Sequence, residues 1–447
     1  MERIRQAIKH RRRSSVSYEP LNGGDDAVQC HQYISKFSWL EYNIFLLLGI
    51  SMLWATNTFM AAFPYFAYRF ASSPWLVSHF PSAIISVSTA TNLTCIGLLT
   101  LLQAGASYPS RITVSLSLNM VAFTLLALST LLFRQVSAGV YFGFLMVIVC
   151  LASLGCGFAQ NGVFAYASGF GFGQYTQAVM TGQAVAGVLP CIAQILLVYS
   201  IPEETSPGKG AGQESPRSAF AFFLTASAVS AITLAAFLLI LFRRHGERAG
   251  EAKGMLDASD GAEENARAGR RTVSVWVLFN KLRWLSMAVF IDFAVTMLFP
   301  VFTQKIQSVR DSAAAPRIFQ PVCFVPLAFL LWNAGDFLGR FSTLVPKIAA
   351  LVEYPRAIFT IAVLRVVFVP LYLLCNMNGR GAAIHSDAFY LLIVQFPFGL
   401  TNGFVGSICM MGASHWVAAD EREAAGGFMG FMLVGGLAVG SLLSFLI

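Results

Sequence analysis

The stretch LWNAGDFLGRFSTLV, residues 331–345, decides how the chain is to be read. Its flanks are apolar enough for a membrane interior, yet Asp336 and Arg340 stand four residues apart, with Asn333 just before them. At 3.6 residues per turn, positions i, i+3 and i+7 fall within one narrow arc of a helix. A charge at the bilayer centre costs about 2.5–3.5 kcal/mol on insertion scales, so such residues face one another or a polar path. The stripe has two readings. Asp336 and Arg340 form an i,i+4 ion pair that ties a bundle together, or they present acceptors and donors to a hydroxylated solute. The two are compatible, because a paired carboxylate keeps lone pairs for a ligand.

The surroundings fix the class. Of 447 residues, 56% are hydrophobic and only 12% charged, about half the charged fraction of a soluble domain. Apolar stretches predict spans near 38–62, 80–103, 112–133, 140–163, 174–199, 218–242, 283–304, 321–345, 355–376, 387–411 and 424–446. A ~30 Å hydrocarbon core needs ~20 residues of helix. The expected fold is an all-α polytopic membrane protein with eleven transmembrane helices. The short alternating segments of a membrane barrel are not seen.

Several function classes fall away. The eight Cys lie mostly inside apolar segments without metal-ligand spacing, so neither a metal site nor a disulfide framework is expected. No Walker motif, His/Cys cluster or nucleophile elbow is present, which argues against ATP-driven transport, enzyme chemistry and a cofactor. The net charge of +8 follows from loop composition and does not call for a nucleic-acid partner. The polar first 36 residues predict no cleavable leader. The NLT at 92–94 matches a glycosylation pattern but lies within the second span.

Lysines and arginines set the orientation. With a cytosolic N-terminus, twenty fall on the cytosolic side and eight opposite, leaving Arg340 and Arg365 within the membrane. An odd number of spans then puts Ile447 on the extracytosolic side. The long soluble break at 243–282, rich in Gly, Ala and charge, reads as a cytosolic linker. It divides the chain into a basic tail (1–37), a six-helix bundle (38–242), the linker, and a five-helix bundle (283–447). Six plus five suits a transporter with a central cavity between two bundles. The HRRRSSVS of the tail reads first as a topology signal, and second as a phosphorylation or anionic-lipid site.

Other polar residues share helix faces. Asp292, Thr296, Phe299 and Thr303 align in the seventh span, and Pro300 predicts a kink. Asp292 is either proton-responsive or paired with Arg365, the pairing being the favoured reading. Trp54 and Asn57 align in the first span, where an indole suits a flat ring and an amide its polar edge. Gln160 and Asn161 are adjacent, about 100° apart, so one of them faces inward.

Taken together these segments resemble the equilibrative nucleoside transporter family. The resemblance is carried by WNAGDFLGR (332–340), LRVVFVPLYLLCN (364–376), LTNGFVGSICMM (400–411), EREAAGGFMGFMLVGGLAVGSLLSF (421–445) and QYTQAVMTGQAVAG (174–187). It implies a major-facilitator-like fold that carries nucleosides, and sometimes nucleobases, by alternating access. It also implies substrate contacts from Leu53, Trp54 and Asn57, from Asn161 or Gln160, and from Asp336 and Arg340. Where the family has Pro-Trp, this chain has Ala55 and Thr56, so the wall that meets the base is expected to differ. The expected partners are nucleosides and the bilayer, with a proton as a further candidate, and a monomer is the expected working unit. The membrane is the plasma membrane or a vacuolar or lysosomal one; no acidic dileucine signal is seen in the tail. The alternatives are a carrier of another small polar solute and a sensor that binds without transport.

Overall fold

A chain with this many apolar runs must bury its backbone polar groups within each segment, and helices do so. The computed structural model describes residues 37–103, 106–133, 135–200, 216–256, 273–310 and 316–444. In chain order its long helices are α1 (Trp39–Ala61), α2 (Pro74–Leu101), α3 (Tyr108–Leu132), α4 (Ala138–Gly169), α5 (Gly173–Ser200) and α6 (Pro216–Leu256). Then follow α7 (Val275–Thr296), α8 (Pro321–Ser342), α9 (Pro355–Leu373), α10 (Phe389–His415) and α11 (Arg422–Ser444). Among the described residues nine helices are long and apolar enough to cross a membrane. The other two long helices, α5 and α8, stand where the fifth and eighth spans are expected and carry polar residues central to the site. Pro74, Pro321 and Pro355 sit in first turns, where a missing N–H breaks no helix bond.

Some boundaries differ from expectation. Helix α2 starts at Pro74, and α6 continues to Leu256, into the segment read as linker. That extension is rich in Ala, Glu, Lys and Arg, all good helix formers. Arg244 ties it to α1 through Glu41 at 3.1 Å. Helix α7 starts at Val275, also inside the expected linker. The bend expected from Pro300 is present: α7 stops at Thr296 and a short helix, Phe299–Lys305, resumes. Helix α9 tightens to a 3₁₀ turn at Arg365–Val367. The basic tail through residue 36, the rest of the linker at 257–272, and Ile447 lie outside the described residues.

Side chains show which helix ends meet. The Tyr42 hydroxyl near the start of α1 donates to Gln177 near the start of α5 at 2.9 Å. Lys281 in α7 meets Glu421 just before α11 at 2.6 Å. Together with Glu41–Arg244 these define a tail end, where odd-numbered helices begin; the opposite end is the far end. Helices α1–α6 pack largely among themselves, as do α7–α11. The two groups meet along two seams, α5 against α8 and α10, and α11 against α4 and α2.

Close approach of α8 and α10 rests on two glycines in particular. A Cβ at Gly339 would run into the Leu400 carbonyl, and one at Gly403 into the Asp336 carbonyl. Without a hydrophobic drive between helices in lipid, such backbone proximity supplies the packing. Gly403→Val is expected to remove most folded, monodisperse protein in fluorescence size-exclusion chromatography. Gly143, with nothing within 4 Å of its Cβ position, should accept Ala with unchanged or higher melting temperature.

Candidate functional site

Because α8 and α10 nearly touch, a small amide on α10 reaches a carboxylate on α8. The Asn402 amide donates to Asp336 Oδ1 at 2.6 Å, and Arg340 Nε donates to Asp336 Oδ2 at 2.8 Å. The Asn402 carbonyl accepts from the Thr296 hydroxyl of α7. That hydroxyl accepts from Arg365 Nη2 at 3.1 Å, and Arg365 Nη1 binds the Asp292 carboxylate and, at 2.7 Å, the Asp292 carbonyl. A continuous chain thus runs Arg340–Asp336–Asn402–Thr296–Arg365–Asp292. Its charged members are almost wholly buried, at 5% exposure for Arg340, 2% for Asp336, 1% for Arg365 and 0% for Asp292. Arg365 is held further by Thr401 Oγ1 at 3.2 Å and the Phe398 carbonyl at 3.3 Å. Both ion pairs read from the sequence are therefore made, and a threonine and an asparagine join them into one network.

Arg340 reaches beyond its own group of helices. Its Nη1 donates to the Met180 carbonyl of α5 at 2.6 Å and to Gln183 Oε1 at 3.3 Å. The guanidinium thus lies on the seam between α5 and α8, toward the tail end.

A cavity of about 280 Å³ opens between α1, α2 and α4 on one side and Met297 and α11 on the other. One strip is polar. Ser88, Thr89 and Asn92 of α2 face Ser153, Cys156 and Gln160 of α4. Ser153 donates to Ser88 at 2.9 Å, and the Asn92 amide to Gln160 Oε1 at 3.3 Å. The remaining walls are mostly apolar, with Leu53, Phe59, Val434 and Leu437 among them, and among the described residues no Asp, Glu, Lys or Arg lines the space.

The expected site residues divide accordingly. Leu53 and Gln160 line the cavity. Asn161 does not: its carbonyl accepts from Arg111, which also holds the Leu99 and Leu102 carbonyls at 3.1 and 2.7 Å. The 100° step between adjacent residues sends one amide inward and the other into the helix packing. Asn57 donates to the Ala186 carbonyl of α5 at 2.8 Å, and Trp54 packs, half-buried, against the apolar cluster around Phe59 and Phe123. Asp336 and Arg340 saturate each other and their neighbours and do not line the cavity in this conformation. Asn333 donates to the Phe329 carbonyl of its own helix at 2.8 Å and, across the seam, to Cys191 Sγ of α5 at 3.6 Å. Sequence reading assigned no role to Asn402, Gln177, Gln183 or Asn92. Each is an amide within a long helix, and its sequence alone does not name the partner.

Solved structures that share this arrangement include two proteins of the major facilitator superfamily. FucP in its outward conformation superposes with a TM-score of 0.54 at 13% identity, covering 91% of this chain and 92% of that one. The proton:xylose symporter XylE gives 0.55 at 12% identity, covering 91% and 86%. The chain shares that fold. Residues 145–447 match the nucleoside transporter family model. Nucleoside transporter FUN26 of Saccharomyces cerevisiae is 30% identical over 97% of this chain and 87% of its own length. Equilibrative nucleoside transporter 1 of Homo sapiens is 28% identical over 92% and 96%. The chain belongs to the nucleoside transporter family and is a multi-pass membrane protein.

Removing one member of a buried ion pair strands the other, at a cost of about 3–5 kcal/mol. Asp292→Ala is therefore expected to lower the melting temperature of the purified protein strongly. Asp292→Ala combined with Arg365→Met should recover much of that loss; a double variant as unstable as the single would argue against the pair.

Proposed function

We propose that this protein carries nucleosides across a membrane by alternating access of a six-helix and a five-helix half, with all eleven long helices spanning the bilayer. The observation that carries the reading is the cavity between the halves. It has a polar strip, apolar walls and, among the described residues, no charged lining residue. A neutral solute with a flat apolar face and a hydrogen-bonding edge suits such a space. Its volume is near the lower end of the ~300–1,000 Å³ usual for small-molecule sites. Gln160 and Asn92 would meet the base edge, with Leu53 and Val434 against its faces. Trp54 and Asn57 shape the α1 wall from behind.

Asp336 and Arg340 belong to the same site at a later stage of the cycle. They stand on the seam, where movement of one half against the other exposes them to a solute leaving the cavity. There the carboxylate accepts from ribose hydroxyls and the guanidinium donates. The relatives named above carry nucleoside transporter in their names, which supports this choice over another solute. The protein acts as a monomeric carrier, not as an enzyme, with its N-terminus cytosolic and its C-terminus opposite, in a plasma, vacuolar or lysosomal membrane.

Uptake of radiolabelled uridine and adenosine into liposomes tests the reading. Saturable uptake of both, without uptake of sugars, supports it; saturable binding without uptake would make the protein a sensor. Asp336→Asn and Arg340→Ala should each remove most uptake at normal protein levels, and full activity in either would remove these residues from the transport path. Asp292 is enclosed and paired with Arg365, which favours a structural role. Uptake should then be indifferent to an imposed proton gradient, and acceleration by an inward gradient that is lost in Asp292→Asn would reverse that assignment.

A further inference from the structure

At the tail end of the seam between α5 and α8, each helix offers a side chain to the other's backbone. Arg340 Nη1 of α8 donates to the Met180 carbonyl of α5 at 2.6 Å. In return, Gln177 Nε2 of α5 donates to the Arg340 carbonyl at 3.2 Å. That carbonyl lies in the last turn of α8, where it also accepts from the Thr343 hydroxyl at 2.7 Å. Gln177 is fully buried and its amide is oriented from both sides. Its carbonyl accepts from the Tyr42 hydroxyl at 2.9 Å, and its NH₂ also donates to Thr181 at 2.7 Å. Gln183 adds its carbonyl to Arg340 at 3.3 Å.

These bonds differ in kind from the rest of the polar network. The links from Asp336 through Asn402 and Thr296 to Arg365 and Asp292 stay within α7–α11 and survive a rigid-body motion of that group. The bonds of Arg340 and Gln177 cross to the other group and do not. The cavity, by contrast, is lined by Met60 at the end of α1, by Phe63 just beyond it and by Ser441 near the end of α11, residues of the far end. The strongest bonds across the seam thus lie at the tail end, with only the long Asn333 to Cys191 Sγ contact at 3.6 Å nearer the other.

We propose that Gln177 and Gln183, with Arg340, form a latch that closes the tail end of the pathway, and that its release is the step by which that end opens. This rests on the alternating-access reading above. Gln177 and Gln183 are positioning residues: they act through Arg340 and through the α8 backbone. Parting the seam leaves Arg340 on Asp336 alone and admits water to the freed acceptors, so the latch yields without stranding a charge in a dry interior.

Opposite variants test it. Gln177→Leu keeps the bulk and removes the bond to α8. Gln183→Glu places a carboxylate opposite Arg340 and turns a neutral contact into a charge-assisted one across the seam. Hydrogen–deuterium exchange of the full-length protein in nanodiscs reads both ends. Gln177→Leu should quicken exchange about tenfold in tail-end peptides of α5 and α8, the scale of one lost hydrogen bond on a two-state equilibrium, while slowing it at the far end near residues 299–310. Gln183→Glu should do the reverse. The reciprocal shift separates a latch from general loosening, which would quicken both ends and overturn the proposal, as would no shift in either variant. If Gln177→Leu does not fold, the direction of the Gln183→Glu shift decides alone. Uridine uptake by the parent protein is measured alongside. Uptake without a reciprocal shift removes the latch and leaves the transport reading standing. A reciprocal shift without uptake keeps the latch and removes the nucleoside assignment.

Discussion

Four charged side chains lie where a membrane protein has no water to spare for them, and much of the C-terminal architecture follows from keeping them partnered. Asp336 and Arg340 pair within α8, while Asp292 and Arg365 pair between α7 and α9. Asn402 and Thr296 bridge the two pairs. An unpaired ion in this environment would cost several kcal/mol. The positions of α7, α8, α9 and α10 are therefore coupled: none can shift far alone without stranding a charge.

The network is possible only because glycines let backbones nearly touch. Asn402 is a short side chain, and it reaches Asp336 because Gly403 presents no Cβ to the Asp336 carbonyl. The same device recurs between α1 and α5, where a Cβ at Gly182 would meet the Leu46 carbonyl. Small residues, here as in other membrane bundles, set helix distance. Polar side chains then fix register. The two roles are separable in sequence but inseparable in the folded chain.

The cavity and the network divide the labour. The cavity offers neutral hydrogen-bonding groups from α2 and α4, with apolar surface opposite. The buried charges lie outside it, and of them Arg340 reaches across the seam to α5. Under the proposed function, a solute meets first the groups that read shape and edge, and only on passage those that bind hydroxyls strongly. Buried charge-assisted contacts discriminate well, because an analogue lacking the hydroxyl leaves a charge unsatisfied.

Much of this was legible before folding. The helical membrane class follows from composition and run length, because a ~30 Å apolar layer admits few alternatives. The arc shared by Asp336 and Arg340 is a matter of helical period, and their i,i+4 pair is local. The ordered motifs pointed to the family without any coordinates. Tertiary structure decided the rest. Whether Gln160 or Asn161 faces the cavity depends on how α4 is rotated against Arg111, which no local rule specifies. The pairing of Asp292 with Arg365 is the reading the sequence favours, but making it requires α7 and α9 to pack side by side. Asn402 was silent in sequence, because an amide in an apolar helix declares only that it has a partner. Gln177 was silent for the same reason: its partner is a carbonyl 163 residues away, brought near by the fold alone.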